Sequence, residues 1–161
     1  MQAEFQSFDV EIVEFNETKI AVLEHKGDPS QLGRSIQKFI SWRKENKLPP
    51  SKYKTFNLVY DDPRTTPADE FRFDLACSIH SQVNENDEGI INKIIPQGRC
   101  AVLRVVGLES RLAMAVEFLY SEWLEQSGET LRDFPLFFHR IHFFPDVTET
   151  EMMTDVYLPL K

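Results

Sequence analysis

The chain is poor in the residues on which most recognisable active sites depend. Its two cysteines, Cys77 and Cys100, fall outside any CxxC spacing. That excludes a zinc ribbon, a thioredoxin-type redox pair and a disulfide-stapled scaffold. Its six glycines are scattered, so there is neither a phosphate-cradling P-loop nor a dinucleotide fingerprint. No HExxH or GxSxG motif is present. Lys and Arg total 18 against 26 Asp and Glu, a net charge of −8, and no basic cluster interrupts the acidic background. Direct binding to nucleic acid, which needs a basic patch or stripe, is therefore not expected. No apolar run approaches the roughly 20 residues of a membrane span, and polar residues follow Met1 in place of a signal peptide. These absences predict a soluble, cytoplasmic protein with no membrane partner, no cofactor, no metal site and no catalytic residue.

What the chain does have is an internal copy. Ala21-Val22-Leu23 recurs as Ala101-Val102-Leu103 and Gly27 as Gly107, at a separation of 80; Trp42 recurs as Trp123, Glu70 as Glu151 and Asp74 as Asp155, at 81. An offset that drifts by one residue over a whole unit marks two similar supersecondary modules in tandem. A length of 161 residues suits one domain built from both copies.

The first copy, 8–80, opens with strands over 10–15 and 19–25. Asp28-Pro29 starts a helix, with Asp as N-cap and Pro at the first helical position. Leu32, Ile36, Phe39, Ile40 and Arg43 mark one side of that helix, and Pro49-Pro50 lies past its end. Strands over 55–60 and 71–79 close the copy; Phe71, Phe73, Leu75, Cys77 and Ile79 share one face of the last strand, Arg72 and Asp74 the other. A polar linker, 81–88, leads to the second copy, 89–161, which repeats the order with a helix ending near Ser127-Gly128. The expected fold is α+β: a tandem pseudo-twofold pair of β-β-α-β-β units, antiparallel strands with two long helices on one side and a central ligand cleft. Residues 1–7 read as the remnant of a linker.

The candidate ligand contacts are aromatic. The segment from Phe134 to Phe144 holds five phenylalanines, and its counterpart is the strand from Thr55 to Tyr60. Lined this way, a cleft would take Phe56, Tyr60 and Phe138 from strands and Trp42 and Trp123 from helices, flat walls suited to stacking and cation–π contact. Asp74 and Asp155, on matching strands, are expected to solvate the outer face or cap a neighbouring turn. Strand alternation is expected to put His139 and His142 on opposite faces, which makes them poor joint metal ligands.

Several stretches resemble the GyrI-like small-molecule-binding domain, the effector half of AraC-type and MerR-type transcription regulators that also occurs as a free-standing protein. They are Tyr60-Asp61-Asp62-Pro63, Phe71-Arg72-Phe73-Asp74, Gly98-Arg99-Cys100-Ala101-Val102, the run from Tyr120 to Gly128, and Thr154 to Leu160. The resemblance implies the tandem fold and a ligand cleft between the halves. In that family a buried glutamate of an FExY-like motif favours hydrophobic cations; here Phe138 stands where the glutamate would be and Arg140 where the tyrosine would be. The predicted preference is accordingly for a neutral or anionic ligand, with Arg140 among the contacts. The resemblance implies an effector-binding domain for a small aromatic or amphipathic ligand, the sensing half of an AraC-type regulator. Such a domain reaches DNA only through a separate DNA-binding domain, and a homodimer is among its assemblies. Two other readings compete: a free-standing gyrase-inhibitor-like protein that acts by binding another protein, and a small hydrolase of reactive electrophilic compounds.

Overall fold

A computed structural model of the chain describes residues 8–143 and 146–161. The expectations placed on residues 1–7 and on Phe144 lie outside the described residues. Numbered along the chain, the strands are β1 (Glu11–Phe15), β2 (Thr18–Lys26), β3 (Thr55–Val59), β4 (Arg72–Ser78), β5 (Ile90–Ile95), β6 (Gly98–Val106), β7 (Leu136–His142) and β8 (Met153–Pro159). The helices are α1 (Leu32–Glu45), α2 (Glu109–Phe118) and α3 (Leu124–Ser127), the last two joined by a π-helical turn over Leu119–Trp123. This is the expected α+β fold, with antiparallel pairing of β1 with β6, β2 with β4 and β5, β3 with β4, and β8 with β6 and β7.

The residues divide into two compact units: Glu17–Pro96, and Gln97–Lys161 together with the segment through Asn16. The strand order is β3-β4-β2-β5 in the first and β7-β8-β6-β1 in the second. These are the same order, but the sequence halves 8–80 and 89–161 differ from the units by one strand each. β1 pairs with β6 and β5 pairs with β2, so neither β1 nor β5 forms a hairpin with the strand that follows it. The connections explain this. Asn16-Glu17 and Pro96-Gln97 lack the Asn-Gly or Gly-x chemistry that a two-residue hairpin requires.

In the Glu17–Pro96 unit, Asp28 caps the chain's entry into α1 by accepting the Ser30 N–H at 2.9 Å, and Pro29 opens the turn. Phe39 and Trp42 on α1 then pack on Ala21, Leu23, Leu75, Cys77 and Ile90. Arg43, 6% exposed, ties the helix end to the sheet: it donates to the Leu48 and Tyr53 carbonyls and to Thr55 Oγ1 at 2.8–3.1 Å. The 81–88 linker is hydrogen-bonded to the same unit. Asn92 clasps the backbone of Val83 from both sides, and Asn86 bonds both backbone groups of Ile90. In the other unit α2 packs on β6 and β8, and Leu112, Ala115 and Leu119 are the buried residues of its helical segment. Gly128, at φ +74, ends α3 in the left-handed conformation, as the Ser127-Gly128 stop predicts.

The copy is kept down to single hydrogen bonds. The Gly27 N–H donates to the Phe71 carbonyl at 2.8 Å and the Gly107 N–H to the Met152 carbonyl at 2.9 Å. Both glycines hold φ values, +127 and +121, that are open only to a residue without Cβ. At Gly27 a Cβ would meet nothing within 4 Å, so Gly27→Ala isolates the backbone effect. It is expected to cost about 1–3 kcal/mol in urea unfolding, and a neutral result would contradict the assigned backbone conformation.

Candidate functional site

Each unit's sheet has a helix-covered face and an opposite face, and the register assigns every side chain to one of them. In the Glu17–Pro96 unit Leu75 and Cys77 belong to the helix-side core, so Asp74 and Ala76 occupy the opposite face. Phe56 pairs with Ala76, and both Leu58 and Glu24 pair with Asp74, which puts Phe56, Leu58 and Glu24 on that opposite face. Ile20, Val22, Phe56, Leu58 and Ala76 there are at most 1% exposed. The centre of the face is apolar and dry, and its buried charge is gathered at one place.

That place is built around Asp74, which is 2% exposed. Glu24 lies directly opposite it across the β2–β4 ladder, and like charges so placed repel. Lys93 of β5 reconciles them: its Nζ donates to Asp74 Oδ2 at 2.7 Å and reaches Glu24 Oε2 at 2.8 Å. The Tyr60 hydroxyl donates to Asp74 Oδ2 at 3.2 Å and accepts from Lys93 Nζ at 3.2 Å. Lys93 Nζ also sits 5.4 Å from the Tyr60 ring centroid, and the Arg72 guanidinium 5.1 Å from it, within cation–π range. Arg72 is held in turn by Asp61, through Nε and Nη2 at 3.0 and 3.2 Å.

Burial sets the electrostatics of this cluster. It pushes the Asp74 carboxyl above its ordinary value, against hydrogen bonds from Lys93 and Tyr60 that pull the other way. Burial also raises the Tyr60 phenol. For Lys93, burial pulls the ammonium down, but hydrogen bonds to Asp74, Glu24 and Tyr60 more than reverse this and hold it well above an ordinary lysine. The ammonium is firmly charged and the carboxylate depends on it. The expectation that Asp74 merely solvates a surface is therefore corrected, and the same holds for Asp155, 8% exposed.

In the second unit the matching row solves its charge problem differently. Arg104 stands where Glu24 does, directly opposite Asp155, and forms a two-pronged ion pair with it at 2.8 and 3.0 Å. With opposite charges already facing one another, no third-strand lysine is needed; Val13, paired with Cys100 as Lys93 is with Ile20, fills that place. The neighbouring row is aromatic. Phe137 stacks on Tyr157 at 5.0 Å and meets Phe15 and Phe134 edge-on at 5.0 and 6.2 Å.

The residues predicted from sequence are dispersed by this register. Trp42, 5% exposed, stacks on Phe39 inside the helix-side core, whereas Phe56 and Tyr60 lie on the opposite face of the same sheet. Trp123 is half-buried in the π-helical turn, so the two tryptophans occupy different surroundings. Phe138 pairs with Val156 and Arg140 with Thr154. Arg140 binds Glu109 of α2 at 2.7 Å and covers the Phe138 ring at 5.0 Å, which places both on the helix-covered side. The structural counterpart of Phe56 is Phe137, since each lies two positions before the residue facing the shared aspartate. A one-residue slip reverses the face, and the offset of 81 that relates Asp74 to Asp155 also relates Phe56 to Phe137.

The histidines differ from expectation as well. A bulge between Arg140 and His142 leaves His139 opposite Asp155 and His142 opposite Met153, so both fall in rows of one face. Even so, no group of three or more metal-ligating side chains is found among the described residues. His25, 7% exposed, hydrogen-bonds Ser35 Oγ through Nδ1 at 2.8 Å and the Asp28 carbonyl through Nε2 at 3.1 Å. Because a carbonyl only accepts, Nε2 carries the proton; the ring pins the start of α1 to β2. Lys93, Glu24 and Arg43 were missed as functional or organising residues. Glu24 facing Asp74 was readable from the second copy, where the same two places hold Arg104 and Asp155.

Comparison with known proteins agrees with this architecture. A family model described as the GyrI-like small molecule binding domain matches residues 8–161. The chain is 39% identical over 155 residues to an Escherichia coli (strain K12) protein named probable transcriptional regulator YgiV, covering 96% of this chain and 97% of that one. It is 26% identical over 158 residues to a DNA gyrase inhibitor of Erwinia billingiae (strain Eb661), covering 95% and 97%. Among solved structures, the EcmrR C-terminal domain superposes with a TM-score of 0.76 at 17% identity, over 96% of this chain and 98% of that one. No described helix is long and apolar enough to cross a membrane.

Proposed function

The chain belongs to the GyrI-like small-molecule-binding family, and from that premise we propose that it binds a small organic effector and passes its bound state to a DNA-binding partner. The observation that carries this reading is the 39% identity to a probable transcriptional regulator along nearly the whole of both chains. The net charge of −8 supports an indirect route to DNA, since a direct one relies on positive charge. On the Glu17–Pro96 unit the ligand contacts we favour are Phe56 and Tyr60, with Trp42 committed to the helix-side core; on the other unit, taken by itself, they are the aromatic Trp123 and Phe138 and the guanidinium of Arg140. A dimer and a cytoplasmic location fit the same reading.

Recognition rather than turnover is the activity proposed. The His25–Ser35 pair has no charged third member, because its outer nitrogen is committed to a backbone carbonyl. Incubation with ester and cyclopropane substrates is expected to give no hydrolysis above background, and turnover abolished by Ser35→Ala would reverse this assignment. The 26% identity to a gyrase inhibitor keeps a second reading, action by binding another protein, which a pull-down with purified gyrase tests directly.

The effector reading predicts a thermal-shift response. A ligand that binds only the folded chain at 100 times its Kd adds about 2.7 kcal/mol, a rise of roughly 5–10 °C for a chain of this size. A screen across cationic, neutral and anionic aromatic compounds in which none raises the melting temperature would end the reading.

A further inference from the structure

Lys93 occupies Asp74 as a ligand would. A carboxylate 2% exposed, an aromatic ring beside it and a bound ammonium together make a recognition site for an N–H cation, and here the cation is the chain's own. Three features indicate that Lys93 is displaceable. Its side chain is 26% exposed while that of Asp74 is 3%, so Lys93 lies on the solvent side of the pair. Glu24, whose side chain is 55% exposed, already binds the same Nζ at 2.8 Å and can keep it when Asp74 lets go. Finally, the Tyr60 hydroxyl donates to Asp74 Oδ2 at 3.2 Å independently of Lys93, so the carboxylate keeps one donor through the exchange.

We infer that the Tyr60–Asp74–Lys93 cluster is a ligand site held shut by a tethered cation, and that a small aromatic primary ammonium or guanidinium compound opens it by replacing Lys93 on Asp74. Hydrogen bonding sets the chemical class. Asp74 Oδ2 is satisfied by an N–H at 2.7 Å and an O–H at 3.2 Å, and a buried carboxylate that loses a donor is strongly penalised. The replacement must therefore bring an N–H, which a quaternary ammonium or tetraarylphosphonium ion lacks. Its ammonium would take the place of Lys93 Nζ, 5.4 Å from the Tyr60 ring centroid, with its aromatic part against that ring. This deepens the effector reading by naming the ligand's chemistry and its place.

The test is calorimetric titration of the full chain at pH 8 with 2-phenylethylamine, 2-phenylethanol and tetraphenylphosphonium. Lys93→Met removes the competing ammonium and keeps the stem, and should tighten 2-phenylethylamine binding at least tenfold without creating affinity for the alcohol or the phosphonium. Tyr60→Leu, which leaves the ion pair in place, should weaken binding of the amine severalfold, and Asp74→Asn should abolish it. Unchanged or weaker affinity in Lys93→Met overturns the inference, as does equal gain for the phosphonium ion, even if Asp74→Asn fails to fold. Should other compounds stabilise the wild type while these variants bind the amine alike, the inference falls and the effector reading survives. Should no compound stabilise any variant, the effector reading falls with it.

Discussion

Alanine at Phe137 is expected to destabilise the chain by about 3–5 kcal/mol, lowering its melting temperature by roughly 6–20 °C. Phe137 is fully buried and its ring is shared among Phe15, Phe134 and Tyr157. Truncation therefore removes the burial of one large ring and also the partner of three others, leaving a cavity that β-strand backbones close poorly. Phe137→Leu keeps most of the volume and should cost less than half as much. Urea unfolding monitored by circular dichroism measures both. A loss under 1 kcal/mol for Phe137→Ala would show that β7 is not in the register that makes Phe137 the counterpart of Phe56.

The second large effect depends on pH. Lys93→Met leaves Asp74 buried beside Glu24 with no cation, and at pH 8 it should cost about 2–4 kcal/mol, near the lower end for breaking a buried pair because Lys93 is partly solvated. The melting temperature should fall by roughly 4–15 °C. In the wild type burial already holds the Asp74 pKa above its ordinary value, and the hydrogen bond and positive charge of Lys93 oppose that rise; without Lys93 it climbs further. A carboxyl whose folded pKa exceeds its unfolded one binds protons more readily in the folded state, so stability increases as the pH falls through the folded value. The deficit of Lys93→Met relative to wild type should accordingly be greatest near pH 8 and shrink towards pH 5. Adding Asp74→Asn, which needs no counter-charge, should recover part of the loss and flatten the pH dependence. For Lys93 the sign is opposite. Its raised pKa contributes stability that is complete below the unfolded lysine value of about 10.4 and disappears only as the pH climbs through the higher folded one. A deficit that grew on acidification would contradict the assignment of Asp74 as the buried acid.

Much of the fold was legible because its signals are local. Ser127-Gly128 closing a helix and the alternation from Phe71 to Ile79 depend on residues close in sequence and are found as expected; Asp28-Pro29, equally local, opens a 3-10 turn that leads into α1 at Leu32. Pairing of β1 with β6, and of β5 with β2, depends on residues about 70–90 positions apart, and nothing in either strand's own sequence names its partner. The same limit dispersed the aromatic site. Trp42 and Phe56 are both large, both buried and close in the chain, yet they lie on opposite faces of one sheet, because that depends on register and not on composition.

Taken alone, the sequence determined that two similar modules exist, where the first helix opens and where the second closes, since repetition and capping are written in neighbouring residues. Only the tertiary structure decided what the acids do. Asp74 and Asp155 occupy equivalent places on β4 and β8, but one faces Glu24 and the other Arg104. The first must recruit Lys93 from a third strand while the second is neutralised where it stands. Charge compensation acts through space over a few ångströms, and only folding brings those strands within that distance.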